Sequence, residues 1–324
     1  MKRERILSII HGLLLTFLLA GVFIAFLPGE SMQAKTRKAP VSKPSAGYSF
    51  VVFKGTFKTD ERQKALDRIN EIRLEACKEG VINPSTGAKL TEKDYVPIKW
   101  ASDLEMIAQT RAAEADIYWE HTRPNGKSCF SVSYNGTQSW GEVLAWNYNG
   151  NMVDGVNQWY GEKSDWVNQN RNAVTGHYTS MIDPNNLYVG LGAFIIDGEK
   201  YICISGEFSS HSGLKEDFVG VSGKYGQVIE VPTDMLTISL EGTTVKKGKS
   251  KKLSVKIGYA NTDSWLSGDT IACTAYGKLK WSSSDNDIAT VSSKGKVKGI
   301  GSGTAAITAK TAYGIKATCN IKVK

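Results

Sequence analysis

Residues 102–130 read SDLEMIAQTRAAEADIYWEHTRPNGKSCF, and the fold turns on how this stretch divides. Ser102 with Glu105 three positions later has the form of a capping box. Leu104, Ile107, Ala108, Arg111, Ala115 and Tyr118 or Trp119 then recur at helical spacing. The pattern predicts a helix whose C-terminal end delivers His121. Arg123, Pro124, Asn125 and Gly126 follow as a turn, since Pro fixes φ and Asn-Gly tolerates left-handed backbone. The chain has only four histidines, and one of them stands in this polar loop.

Outward from there, TDERQKALDRINEIRLEACKEG (59–80) predicts an earlier helix. Thr59 or Asp60 is its cap, Leu66, Ile69, Ile72 and Ala76 its inner face, and Gly80 its stop. NMVDGVNQWYGEKSDW (151–166) reads as a further helical stretch, with Met152, Val153, Val156, Trp159 and Tyr160 at helical spacing. LYVGLGAFIID and KYICISGEF then predict two strands joined through Asp197 and Gly198. Helices around a small sheet imply an α+β, α-β-α layered domain over residues 59–232.

The first 34 residues have a basic start, an apolar run from Ile6 to Leu27, a Pro-Gly break and a small residue at Ala34. They read as a cleaved export signal, or as a retained membrane anchor, because the run is long enough to span a bilayer. Residues 35–58 are expected to be a linker, on the Lys/Ser/Pro/Ala composition of their first part. After residue 232 only short strands separated by Gly, Ser, Asn and Asp remain, which predicts an all-β immunoglobulin-like sandwich over 233–324.

The net charge of +8 is unevenly placed. Residues 59–232 hold 16 basic against 24 acidic groups, whereas 233–324 hold 15 lysines, no arginine and six acids. A lysine-only module outside the cell favours anionic polymers such as wall teichoic acids, membrane headgroups or a host surface as partners, because an ammonium is a point charge without a guanidinium's fork. A simply solvated surface is the alternative, and nucleic acid is not an expected partner.

Export permits disulfides, and five cysteines leave one unpaired. No CxxC or metal-knuckle spacing is present, which argues against thiol-redox, structural zinc or haem chemistry. HExxH and GxSxG are absent as well.

EHTRPNGKSCF, GEVLAW, QWYGE and GHYTSMI occur in this order ahead of the hairpin. Together they resemble the CAP superfamily of cysteine-rich secretory, antigen 5 and pathogenesis-related proteins. The resemblance implies an α-β-α sandwich with an open groove whose floor carries two histidines and two glutamates: His121, Glu142, Glu162 and His177. Val143 stands where the family has asparagine. The segment LKWSSSDNDIATVSSKGKVKGIGSGTAAITAKT resembles bacterial Ig-like domains of group 2, usually spacer or adhesive modules, with GYANTDSWLSGDTIACTAYG as an insert. Cys273 with Cys319, and more weakly Cys129 with Cys203, are the candidate disulfides.

Two imidazoles beside two carboxylates can hold Zn²⁺ or another divalent ion, with each glutamate fixing a tautomer. The expected protein is a secreted or membrane-anchored, Gram-positive, surface CAP protein whose groove takes a metal, lipid, glycan or protein. A metal-dependent extracellular hydrolase using the tetrad, and an adhesin in which the tetrad is architectural, are the alternatives.

Overall fold

The computed structural model describes residues 35–37, 43–260 and 270–324. The expected signal or anchor, residues 1–34, lies outside them. Among the described residues no helix is long and apolar enough to cross a membrane.

Strand β1 (Tyr48–Phe57) leads into helices α1 (Arg62–Glu79) and α2 (Ser102–Ile117). Strand β2 (Gly141–Tyr148) follows, then α3 (Met152–Tyr160), α4 (Lys163–Val167) and α5 (Gly176–Ile182). Strands β3 (Tyr188–Ile196), β4 (Tyr201–Ser209) and β5 (Gly223–Pro232) complete this part. α1 buries Ala65, Ile69, Ile72 and Ala76 and ends at Gly80 with φ +67, the left-handed conformation that glycine adopts without penalty.

α2 departs from the expected amphipathic form, because all but two of its residues are buried. Ala101 is its N-cap and no capping box forms. Glu105 instead binds Arg62 at 2.8 Å and accepts from the amide of Val219 at 2.7 Å. The helix lies directly on β3. A Cβ at Gly190 would stand 2.1 Å from the Glu105 nitrogen, and one at Gly192 would stand 2.3 Å from Ala108, so the glycines of YVGLGAF are what allow this approach.

The stretch expected to be one helix over 151–166 is broken into α3 and α4 at Gly161 and Glu162. Asn151 caps α3 by accepting from the amides of Val153 and Asp154. The break leaves the Glu162 side chain free to turn toward α5.

The linker expectation for 35–58 needs correction. β1 occupies residues 48–57, pairs along its whole length with β5, and on its other edge pairs with β3 through Gly55–Phe57. Its SFVVF run is buried on both faces, so the half-buried alternation that marks a strand is missing.

Beyond β5 come β6 (Leu236–Leu240), β7 (Thr243–Val245), β8 (Ser250–Lys252), β9 (Val255–Ala260) and β10 (Thr270–Ala275). They are followed by β11 (Lys280–Ser283), β12 (Ala289–Val291), β13 (Lys296–Gly299), β14 (Gly303–Lys310) and β15 (Lys316–Val323). A four-stranded sheet, β7-β15-β14-β11, and a three-stranded one, β8-β13-β12, enclose Val245, Leu253, Val297, Ile307 and Ile321. β10, which carries the insert's Cys273, pairs with β1 through Thr274 and Ala275, so the large sheet runs β6-β9-β10-β1-β3-β4-β2. One apolar cluster spans the seam, with Phe53, Phe57, Ala112 and Ile117 packed with Ile257, Tyr259, Ile271 and Cys273.

The expected disulfides are not formed, and all five cysteines are buried free thiols. Cys273 lies in the seam cluster and Cys319 in the core between the two smaller sheets. Cys203 opposes Trp146 in the β2–β4 ladder, four residues along from Glu142, the residue Cys129 stands beside. Four residues of strand are about 13 Å, beyond what a disulfide bridges.

Candidate functional site

Three separate segments bring His121, Glu142, Glu162 and His177 together. His121 follows α2, Glu142 is the second residue of β2, Glu162 is the N-cap of α4, and His177 is the second residue of α5, so that the last two frame α4 and the loop after it. The imidazole planes of His121 and His177 lie 26° from parallel with centroids 6.5 Å apart.

Each ring is held by one carboxylate. His121 Nδ1 lies 2.8 Å from Glu142 Oε1, and His177 Nδ1 lies 2.5 Å from Glu162 Oε1. A carboxylate acceptor makes Nδ1 the protonated nitrogen of the neutral ring, which leaves the Nε2 lone pair for a ligand. Glu162 is itself fixed by the start of α5, where Oε2 accepts from the amides of His177 at 2.9 Å and Tyr178 at 3.1 Å.

Glu142 is fixed by a guanidinium. Arg111, fully buried in α2, donates Nε to Glu142 Oε2 at 2.5 Å and Nη1 to Glu114 Oε2 at 2.8 Å. Its Nη2 reaches the carbonyls of Glu120 and His121 at 3.1 and 3.2 Å, so one side chain anchors both the carboxylate and the histidine loop. Burial works against the charge on Arg111, but Glu142 and Glu114 outweigh it and hold the guanidinium ionised. Burial likewise raises Glu142, and the hydrogen bonds from His121 and Arg111 prevail, keeping its carboxyl below the ordinary range. Arg123 grips Glu114 from outside with Nη2 at 2.6 Å, and its turn closes through Gly126 at φ +76. Val143, the departure from the family's asparagine, points to the opposite face and is buried in the core beside Gly206.

Two further groups complete the floor. Glu207 opposes Glu142 in the β2–β4 ladder. Burial, reinforced by the Glu142 charge, pushes its carboxyl well above the ordinary range, and Ser205 donates to it at 2.9 Å. Burial thus disposes Glu207 toward its neutral form, beside a Glu142 that its partners favour as the carboxylate. Sequence reading passed over it, although one glutamate in an otherwise apolar strand is a visible signal. Cys129 is the other: ligand atoms of His121, Cys129 and Glu142 lie within 4.8 Å of one another. Burial, with the Glu142 charge behind it, pushes this thiol up to about 11, so it is protonated near neutrality and unsuited to act as a thiolate nucleophile.

Of the tryptophans near the motifs, Trp159 is buried and donates to the Leu144 carbonyl, while Trp146 and Trp166 donate to Ala115 and Ile82. Trp140 is 63% exposed and meets His211 edge to face. The site itself is open, with the His121 side chain 55% exposed. A cavity of about 540 Å³ lies behind it, lined by Phe50, Arg123 and Gln227, and shares only the Glu114–Arg123 pair with the network that holds the tetrad.

Residues 66–208 match the family model described as CAP, the cysteine-rich secretory protein family, and residues 232–320 match the bacterial Ig-like domain, group 2. The chain thus carries a CAP domain followed by a group 2 bacterial Ig-like domain. Comparison with curated proteins found no match.

Among solved structures, BmVAL-1 is 16% identical over 52% of this chain and 84% of its own, with a TM-score of 0.35. Schistosoma mansoni venom allergen-like protein 4 is 15% identical over 51% and 96%, with a TM-score of 0.33. An EHEC O157:H7 intimin mutant is 23% identical over 24% of this chain, with a TM-score of 0.18, and the chain spans 34% of that structure's length.

Proposed function

We propose that this is an exported, surface-held Gram-positive protein whose CAP domain binds a ligand over the tetrad through a divalent cation, while its basic Ig-like domain favours an anionic envelope. The observation that carries the site reading is the pairing of both Nδ1 atoms with carboxylates. It presents two Nε2 lone pairs from near-parallel rings, a donor set suited to Zn²⁺ or a similar borderline ion. His121 and His177 would hold the ion, and Glu142 and Glu162 would orient them. Such an ion supplies Lewis acidity toward a carbonyl, phosphoryl or carboxylate group of the ligand.

Export and envelope attachment rest on the basic, apolar N-terminal run and on the arginine-free lysine content of residues 233–324. The deciding experiment is calorimetric titration of Zn²⁺ into the compact unit Ala34–Lys324, beside a His121→Ala, His177→Ala variant with an unchanged melting temperature. Saturable binding lost in the variant is the expected result. No binding to the unsubstituted protein would overturn the metal reading and leave the groove to lipids, glycans or proteins without an ion.

A further inference from the structure

The Ig-like domain's lysines stand opposite one another on both of its smaller sheets, and the longer row is on the four-stranded one. In the four-stranded sheet Lys280 of β11 is directly opposite Lys310 of β14, which is directly opposite Lys316 of β15. All three side chains are exposed on the outer face. Neighbouring strands are about 5 Å apart, and like charges placed directly across a ladder repel. Among the described residues none of these lysines has an ion pair or a side-chain hydrogen bond. In the other small sheet Lys252 is likewise opposite Lys296, but there Lys252 donates to the Lys294 carbonyl; Lys251 donates to Thr243 and Lys256 pairs with Glu241.

The next outward row, about 7 Å along the strands, is Ser282, Thr308 and Thr318, three hydroxyls in register. Asn320 follows, and then Lys322, about 20 Å from the lysine row. The acids Asp285 and Asp287 fall in the loop after β11, where the Asp285 carboxylate is turned to the amides of Asp287 and Ile288. The face thus carries cations at both ends, neutral hydrogen-bonding groups between them, and no carboxylate in the rows described.

We propose that this face, β11-β14-β15, binds a linear phosphodiester polymer with hydroxylated spacers, the lysines taking phosphates and the hydroxyl row the spacer. The inference rests on the reading that the basic domain favours an anionic envelope, and it names the surface and the chemistry. Unpaired lysines in a row suit phosphates, which a point charge binds without bidentate geometry. A lipid surface fits less well: the only large hydrophobic side chain exposed among the domain's described residues is Ile300, in the turn after β13, so the face has nothing to insert between acyl chains. Duplex or single-stranded nucleic acid fits less well too, because the domain has no arginine and the face presents no exposed aromatic ring for stacking.

The test measures binding of the unit Ala34–Lys324 to poly(glycerol phosphate) across a salt series. It sets a Lys280→Gln, Lys310→Gln, Lys316→Gln variant against a Lys294→Gln, Lys296→Gln, Lys298→Gln variant of equal net charge. The row variant should lose at least tenfold in affinity and flatten the slope of log K against log salt by about 2, as expected for three lost phosphate contacts. The control should stay within about twofold. Removing three adjacent like charges relieves repulsion, so the row variant should melt no lower than the parent, which checks its fold.

Equal losses in both variants would overturn the face while leaving the domain's attraction to anions intact. Binding to hyaluronate as tight as to the phosphate polymer would overturn the phosphodiester chemistry. Binding to 7:3 phosphatidylcholine:phosphatidylserine vesicles with none to the polymer would assign the charge to membranes and overturn the proposal. No binding of the parent to any probe would sink the envelope reading itself.

Discussion

At the β2 flank of the large sheet, α2 contributes Arg111 and Glu114 to a charged group with Glu142 and Glu207. At the β10 flank the same helix turns Ala112, Ala113 and Ile117 toward Phe53, Tyr259, Ile271 and Cys273. One helix thus has a charged side that builds the site and an apolar side that belongs to a cluster shared with strands of the Ig-like domain. Buried charge stabilises little by itself, and is retained only when every partner is present. Apolar burial contributes in proportion to area and tolerates local change. The Ig-like strands are therefore continuous, through β10 and β1, with the sheet on which α2 lies, rather than a spacer strung behind an independent CAP domain.

The sharpest way to break this contrast is Arg111→Met. The substitution keeps volume but leaves Glu142 buried with no guanidinium and frees the His121 loop from its carbonyl anchors. Removing one partner of a buried ion pair costs about 3–5 kcal/mol, and urea unfolding should register that loss. Zn²⁺ binding by the tetrad should fall with it. A variant as stable as the parent would mean that Glu142 finds other partners and that the network does not depend on Arg111.

A Tyr259→Ala substitution probes the other flank. Its ring meets Phe53 edge to face at 5.9 Å across the seam. Truncating a buried aromatic costs about 3 kcal/mol or more. If the domains share one core, calorimetry should show a single transition that shifts as a whole. Two separate transitions, with only the later-sequence one displaced, would restore the picture of an independent spacer.

How much of this was legible in the sequence differs between the flanks for physical reasons. His121, Glu142, Glu162 and His177 stood out because each sits in its own local motif, and motifs survive linear reading. Arg111 was visible as a charge on an inward stripe, but its counter-charge Glu142 lies 31 residues on, and no local pattern links them. Glu207 stood visibly in the apolar KYICISGEF run, but its partner Glu142 lies on another strand and nothing local ties the two together. β1 was absorbed into a linker by the composition that precedes it, and the pairing of Ala275 with Val51 spans a distance that no periodicity records. The cysteine pairings failed because spacing along the chain carries no information about which strands face each other.

The smallest effect expected is also the most specific, and it concerns Glu207. Its folded carboxyl titrates well above the unfolded one, because burial, with the Glu142 charge adding to it, favours the neutral form. A group raised on folding lends its stability below the unfolded value and withdraws it as pH climbs toward the folded value. Glu207→Gln mimics the neutral acid at every pH. The variant should therefore match the parent near pH 4 and melt a few degrees higher near pH 8, where the parent must either keep a costly proton or place two carboxylates side by side. Glu142, held low by His121 and Arg111, runs oppositely and loses its contribution only in acid, so the two carboxyls separate on the pH axis. A melting difference independent of pH would show that Glu207 is not the neutral member of the pair, and that the charge at this flank is divided in some other way.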